Sequence, residues 1–212
     1  MVNLNEINKG VIEGNSDKVL ELVKVALDNN VPAKEILDKG LIPGITKVGN
    51  LFETGEYFLP ELLVSAEAML GALELLEPIL SQANVAPTGK YLIGTVQGDV
   101  HDIGKNIVVM MLKGSGWDVM DMGVDVSPEE FCSAMKENDF QILGLSALLT
   151  TTMPSAVKTI SALKAAGLRD KVKIMVGGAP TTQEWASKIG ADGYAPDAPS
   201  AVRVARALIE KS

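Results

Sequence analysis

The fold turns on one stretch, Tyr91-Leu-Ile-Gly-Thr-Val-Gln-Gly-Asp-Val-His-Asp-Ile-Gly-Lys-Asn-Ile-Val-Val-Met-Met-Leu-Lys113. Its first six residues, Tyr91–Val96, are a nearly unbroken apolar run with the length and composition of a strand buried on both faces. Gly98 and Asp99 break the run, and from about Ile103 to Lys113 the apolar residues recur at helical spacing. The same order of strand, polar loop and helix repeats downstream. Asp118–Met122, Gln141–Ala147, Lys173–Val176 and Gly193–Ala195 read as four further strands. The helices between them open at Ser127-Pro128, run from Pro154 to about Ala166, and cover Thr182–Ile189; a last one runs from about Ala198 to the end. Five β-then-α units predict an α/β domain over residues 90–212, a flavodoxin- or Rossmann-like doubly wound sheet of five parallel strands with right-handed crossovers.

Upstream the pattern is helical throughout. Leu4, Ile7 and Val11 recur at spacings of three and four, as do Val19, Leu22/Val23 and Ala26/Leu27 behind an N-cap expected at Ser16. Pro32 reads as a first-turn residue of a third helix that carries Ile36, Leu37, Leu41, Ile45, Val48 and Phe52. Pro60 opens a fourth, with Leu63, Ala66, Leu70 and Leu73 expected on one face. Four amphipathic helices with short connections predict a small four-helix bundle over residues 1–85. Residues 81–90, SQANVAPTGK, are polar, contain Pro87 and Gly89, and read as a linker.

Composition narrows the function. The chain has 212 residues, 47% of them hydrophobic and 22% charged, which is ordinary globular usage. A net charge of −8 lacks the basic footprint that phosphate binding requires, so no nucleic-acid partner is expected. With one cysteine there is no internal disulfide, and Cys132, in PEEFCSAM, reads as a small core residue of an amphipathic helix. The start, MVNLNEINKG, lacks the basic and apolar segments of a signal peptide, and no run approaches the ~20 apolar residues that cross a bilayer. No membrane association and a cytoplasmic location are therefore expected.

In open α/β sheets ligands bind outside the carboxyl ends of the strands. The loops there read GDVHDIGKN (98–106), SALLTTT (146–152) and GGAP (177–180). A phosphate loop is excluded, because five residues separate Gly98 from Gly104 and Asn106 stands where a hydroxyl is needed; GxGxxG is absent as well. His101 is the only histidine. Asp99, two residues earlier, can accept a hydrogen bond from one ring nitrogen and leave the other for a metal. A lone histidine without a cysteine cluster does not make a zinc site. One protein ligand suffices when a macrocycle supplies the others.

At these residues the chain resembles the cobalamin-binding proteins. Asp99-Val-His101-Asp-Ile-Gly104 is similar to their DxHxxG signature, and Ser146-Ala-Leu148 and Gly177-Gly178 resemble the two signatures that accompany it. Gly49-Asn-Leu-Phe-Glu-Thr-Gly55 and Phe58-Leu-Pro-Glu-Leu-Leu63 look like the helical cap that precedes this domain in methionine synthase. With nothing else in a chain of this length, the likeness is nearest to the corrinoid proteins of anaerobic methyltransferase systems, which handle methanol, methylamines, betaines or methoxylated aromatics.

The resemblance implies a role for each matched residue. His101 would be the lower axial ligand of cobalt, replacing the cofactor's own dimethylbenzimidazole (the base-off/His-on form). Asp99 would hold His101, and Thr152, where methionine synthase has serine, would continue the relay. Gly98, Asp102, Ile103 and Gly104 would lie against the corrin, with Gly104 letting the backbone pass close to it. Ser146 and Thr150 would line the slot for the displaced nucleotide tail, Leu148 would also bind the cofactor, and Gly177 and Gly178 would leave room for that tail. Phe58 and Leu59 would belong to an apolar lid over the upper face. Methyl transfer needs cobalt to alternate between a methyl-bound cob(III) state that favours an axial base and a cob(I) state that prefers none. The implied protein is a methyl carrier rather than a catalyst by itself. Its implied partners are a donor-specific methyltransferase, an acceptor methyltransferase using tetrahydrofolate or coenzyme M, and a reductive activase. Two other classes share the cofactor domain: cobalamin-dependent sensors, which usually add a DNA-binding or kinase module, and small subunits of adenosylcobalamin mutases, which usually lack the cap.

Overall fold

The computed structural model of the chain describes residues 3–83 and 85–210. The chain divides into two compact units, residues 1–87 with 113–116, and residues 88–112 with 117–212.

The first unit is helical. Helices α1 (Leu4–Ile12) and α2 (Ser16–Asp28) are each opened by an asparagine. The cap of α2 is Asn15, whose Oδ1 accepts the Lys18 N–H at 3.1 Å; Ser16, the expected cap, is the first helical residue. Asparagine is at least as good a cap as serine, so composition alone did not separate the two neighbours. The third helix is composite: α3 (Ala33–Glu35), a π segment (Ile36–Leu41) and α4 (Ile42–Glu53). Pro32 occupies its N-cap position, one residue before the expected first turn. Pro43 has no N–H to offer and would crowd the carbonyl of Lys39 in a regular α-helix. The widened turn relieves this, with the Ile42 N–H bonding the Leu37 carbonyl five residues back.

Helix α5 (Leu59–Gln82) has Pro60 in its first turn, and Glu61 accepts the Phe58 N–H at 3.0 Å. Its buried face is Leu62, Ser65, Ala66, Met69, Ala72 and Leu76, whereas Leu63, Leu70 and Leu73 of the expected stripe are half-buried. The helix is apolar over most of its circumference, so periodicity marked its face to within only one residue. Its buried side chains pack with Ile7, Val11, Val19, Val23, Ile45 and Val48 as the core of this unit. Ser81 and Gln82 complete α5, so the expected linker loses its first two residues to the helix; Asn84 lies outside the described residues. No helix among the described residues is long and apolar enough to cross a membrane.

The second unit is built on five parallel strands: β1 (Lys90–Thr95), β2 (Asp118–Asp121), β3 (Ile142–Ser146), β4 (Lys173–Gly177) and β5 (Gly193–Ala195). Helices α6 (Ile103–Gly114), α7 (Pro128–Glu137), α8 (Met153–Ala165), α9 (Gln183–Ile189) and α10 (Ala198–Glu210) alternate with them. The expected run of α10 to the chain end includes Lys211 and Ser212, outside the described residues. The sheet order is β2-β1-β3-β4-β5. Side chains alternate between two cores. Leu92, Leu143, Leu145 and Val176 meet Phe131 and Ile160 on one face; Tyr91, Ile93, Ile142 and Met175 meet Leu112 and Ala205 on the other. Cys132 is buried in the first core, and burial pushes its thiol pKa up.

The order has one consequence for function. From β1 the chain moves outward to β2 and then crosses back to β3 on the far side of β1. The carboxyl ends of β1 and β3 are thus adjacent while their following loops diverge, which creates a crevice at the switch point.

Phe131 is fully buried over Gly94 of β1, where an added Cβ would come within 2.8 Å of its ring. Gly94→Ala is expected to cost about 1–3 kcal/mol of stability through overpacking. Combined with Phe131→Leu, which frees the space, it should cost less than the sum of the single changes. Chemical denaturation of the four proteins checks this; strictly additive costs would exclude the steric origin.

Candidate functional site

The loop after β1 crosses the end of the sheet as Val96-Gln-Gly-Asp-Val-His-Asp102, and α6 begins at the expected Ile103, so the last four residues of the stretch 98–106 are helical. Gly98 takes a left-handed φ of +86°, a turn that a side chain would strain, and this turns Asp99 inward. Asp99 has 0% of its surface exposed.

A carboxylate so placed must find donors, and among the described residues it has four. Oδ1 accepts the backbone N–H of His101 at 3.1 Å and meets its ring Nδ1 at 2.7 Å. Oδ2 accepts the Leu148 N–H at 2.8 Å and the Thr152 hydroxyl at 2.7 Å. Burial alone would raise the Asp99 pKa, but the bonds from Thr152, Leu148 and both groups of His101 together outweigh it and hold the carboxyl well below the usual carboxylate range. Because an ionised carboxylate has no proton to give, Nδ1 must be the donor. Nδ1 therefore carries a proton, and in the neutral ring this leaves the Nε2 lone pair for a metal.

The imidazole itself is not buried: 46% of its side chain is exposed. Around it stand apolar side chains that a water-facing surface would not ordinarily carry. Val100 on the same loop and Ile103 at the start of α6 flank it, with Ile103 75% exposed, and Leu148 and Leu149 are exposed on the loop that Asp99 ties to it. Gly104, on the first turn of α6, has no protein atom within 4 Å of where a Cβ would be, so packing within the protein gives no reason for glycine there. A fixed nitrogen donor in an exposed apolar field, with a bare backbone beside it, fits a large flat macrocycle carrying a metal at its centre. No cluster of three or more acidic, histidine or cysteine side chains able to hold a bare ion exists among the described residues.

The other expected residues divide. Thr152 joins Asp99 and is buried; its oxygen also lies 2.9 Å from the Leu149 carbonyl. Ser146 and Gly177 end the paired strands β3 and β4 and are partly exposed, and Thr150 is exposed on the loop that follows β3. Asp102 is exposed and holds Asn106 at 3.2 Å. At Gly178 the need for glycine is internal: φ is +124°, and a Cβ would overlap the Ala147 carbonyl oxygen. Phe58 and Leu59 open α5 on the first unit and are exposed, with Phe58 at 67%, so neither belongs to the bundle core.

The sequence reading missed three residues around this loop. Thr95 Oγ1 donates to the His101 carbonyl at 2.9 Å. Asp125 Oδ1 accepts the Gly98 N–H at 2.7 Å, and its own N–H bonds the Asp99 carbonyl at 2.9 Å. Lys105 is buried and paired with Asp121. A lysine on the first turn of a helix beside a site was visible in the sequence; its burial and its pairing with the exposed Asp121 were not.

Residues 89–203 match the B12 binding domain family, and residues 4–77 match a second family also described as a B12 binding domain. The chain is 47% identical over 206 residues to dimethylamine corrinoid protein 3 of Methanosarcina acetivorans, covering 97% of this chain and 96% of that protein. A chain of the methanol:cobalamin methyltransferase complex from Methanosarcina barkeri superposes with a TM-score of 0.86 at 32% identity, over 99% of this chain and 80% of that one. A cobalamin-binding protein from Desulfitobacterium hafniense gives 0.83 at 32% identity, over 98% and 99%.

Asp99→Asn turns one acceptor oxygen into a donor and leaves at least one buried N–H or O–H unmet. It should cost on the order of 2 kcal/mol at pH 7. The native Asp99 pKa is depressed, so its contribution is present above the unfolded carboxylate value near 4 and is lost as pH falls below it. Stability of the variant should fall less steeply than that of the parent between about pH 5 and pH 2. Denaturation midpoints across that range check this; parallel curves would exclude it.

Proposed function

The chain belongs to the B12-binding corrinoid proteins, and from that premise we propose that it is a methyl carrier holding its cofactor through His101. Cobalamin, when bound, supplies a cobalt that takes a methyl group from one partner and yields it to another. The observation that carries the reading is the 2.7 Å contact between His101 Nδ1 and the fully buried Asp99. It fixes the ring's tautomer and direction and raises the basicity of Nε2. His101 is the residue that would hold the cofactor's metal, through Nε2.

Thr152 extends this control. Its single hydroxyl proton has two acceptors within reach, Asp99 Oδ2 at 2.7 Å and the Leu149 carbonyl at 2.9 Å. Donated to Asp99 Oδ2, it draws carboxylate charge away from Oδ1 and weakens the pull of Oδ1 on the imidazole; turned to Leu149, it leaves that pull stronger. The Thr152 proton would in this way set how strongly His101 Nε2 donates to the metal it would hold. Val100, Ile103, Leu148 and Leu149 supply an apolar bed, and Ser146, Thr150 and Gly177 supply the mouth of the slot for the displaced nucleotide tail.

The methyl donor we propose is a methylated amine. The 47% identity to a dimethylamine corrinoid protein, against 32% to the chain from the methanol system, supports this class. The partners follow from the role: a donor-specific amine methyltransferase, a second methyltransferase passing the methyl group to tetrahydrofolate or coenzyme M, and a reductive activase.

Because His101 is the only histidine, nitrogen-15 histidine labels one residue. Reconstituted with cobalamin and reduced to the cob(II) state, the labelled protein should show a doublet splitting in its EPR spectrum in place of the nitrogen-14 triplet. An unchanged triplet means that the cofactor keeps its own base and removes the proposed roles of His101, Asp99 and Thr152. In a second assay with a dimethylamine methyltransferase, the cob(I) protein should become methylated from dimethylamine at least ten-fold faster than from methanol with a methanol methyltransferase (about 1.4 kcal/mol in barrier). Equal or reversed rates would rule out the amine assignment.

A further inference from the structure

The loop that carries His101 is tied at both ends to one neighbouring segment, Asp121–Asp125, which begins at the last residue of β2. We propose that Lys105 and Asp125 are positioning residues that hold this loop in the conformation from which His101 reaches the metal. The inference rests on the axial-ligand reading above and extends it beyond the Asp99–Thr152 relay.

At the far end of the loop, Lys105 sits on the first turn of α6, four residues after His101. Its side chain is 2% exposed. An ammonium group taken out of water needs a partner, and it has two: the Asp121 carboxylate and the Asn106 side-chain oxygen, the latter at 2.8 Å. The other oxygen of Asp121 accepts the Gly123 N–H at 2.9 Å, so the same carboxylate shapes the turn that leads to Asp125. At the near end, Asp125 has a φ of +55°, in the left-handed region that aspartate tolerates better than most residues. That conformation presents its carboxylate to the Gly98 N–H at 2.7 Å and its own N–H to the Asp99 carbonyl at 2.9 Å. Between the two ends, Thr95 takes the His101 carbonyl at 2.9 Å.

Stability alone does not account for this arrangement. Burying the Lys105 ammonium costs desolvation, and pairing it with the exposed Asp121 offsets that cost rather than adding a large net stabilisation. What it supplies is a single defined geometry. The loop is short, begins at a left-handed glycine, and presents its histidine to solvent. With its ends held, the ordering that coordination would otherwise require is already complete in the folded protein.

The test uses nitrogen-15 histidine protein reconstituted with cobalamin and reduced to cob(II), compared across the parent, Lys105→Met, Asp125→Ala and Asp125→Asn. Cofactor content and thermal unfolding are measured alongside. The parent should show the doublet. Lys105→Met and Asp125→Ala should lower the ratio of His-coordinated to uncoordinated cobalt by roughly ten-fold or more, the size of effect seen when groups supporting a ligand are removed. Asp125→Asn, which keeps an acceptor oxygen and tolerates the same φ, should restore the ratio. If Lys105→Met does not fold, the Asp125 pair decides, since Asp125 lies on the surface. Folded variants with the parent's doublet intensity overturn this inference and leave His101 coordination standing. A parent without the doublet overturns both.

Discussion

An ionised carboxylate wholly removed from water costs several kcal/mol unless donors replace its hydration, and much of the functional end of this protein is organised around meeting that cost at Asp99. The donors come from two loops that follow adjacent strands. One oxygen is satisfied by His101, within its own loop; the other is satisfied by Leu148 and Thr152, beyond β3. The carboxylate therefore does two jobs. It fixes the tautomer of the imidazole, and it fastens the loop after β1 to the loop after β3. Neither loop keeps its shape without the other, so the position of Nε2 is set by the sheet and not by the local turn alone.

The sheet can do this because of its order. With β1 and β3 paired along Tyr91–Thr95 and Ile142–Ser146, their carboxyl ends lie side by side at the switch point, where no crossover covers them. The segment after β2 closes the third side through Asp125 and Asp121. The three loops share one network in which backbone N–H groups of Gly98, His101, Gly123 and Leu148 are met by aspartate side chains. On this frame the exposed Val100, Ile103, Leu148 and Leu149 form an apolar surface. It is a cost in water that a bound apolar surface would relieve.

The strands were legible in the sequence because parallel strands buried on both faces have almost no freedom of composition: the runs in β1, β3 and β4 could hardly be anything else. The motif residues were legible because their types and spacing are rare. Other features were read less accurately, for identifiable reasons. Asn15 and Ser16 cap equally well, so which of them caps depends on where the chain turns after α1. Helix α5 is apolar nearly all round, and its inner face follows from its neighbours rather than from its own periodicity. The π segment reflects a contest between Pro43 and the helix around it that no pattern of hydrophobicity records.

By itself the sequence determined the class of fold, the number and direction of the strands, and the histidine and aspartate that the structure brings into contact, because these follow from local composition and from residue types that few positions carry. Only the tertiary structure decided that Asp99 is wholly buried, that Thr152 and Leu148 complete its shell, that Gly178 is glycine to clear Ala147, and that Lys105 and Asp125 hold the histidine loop from outside. Those facts rest on contacts between residues 16 to 53 positions apart. Such contacts exist only once strands far apart in the chain have been laid side by side.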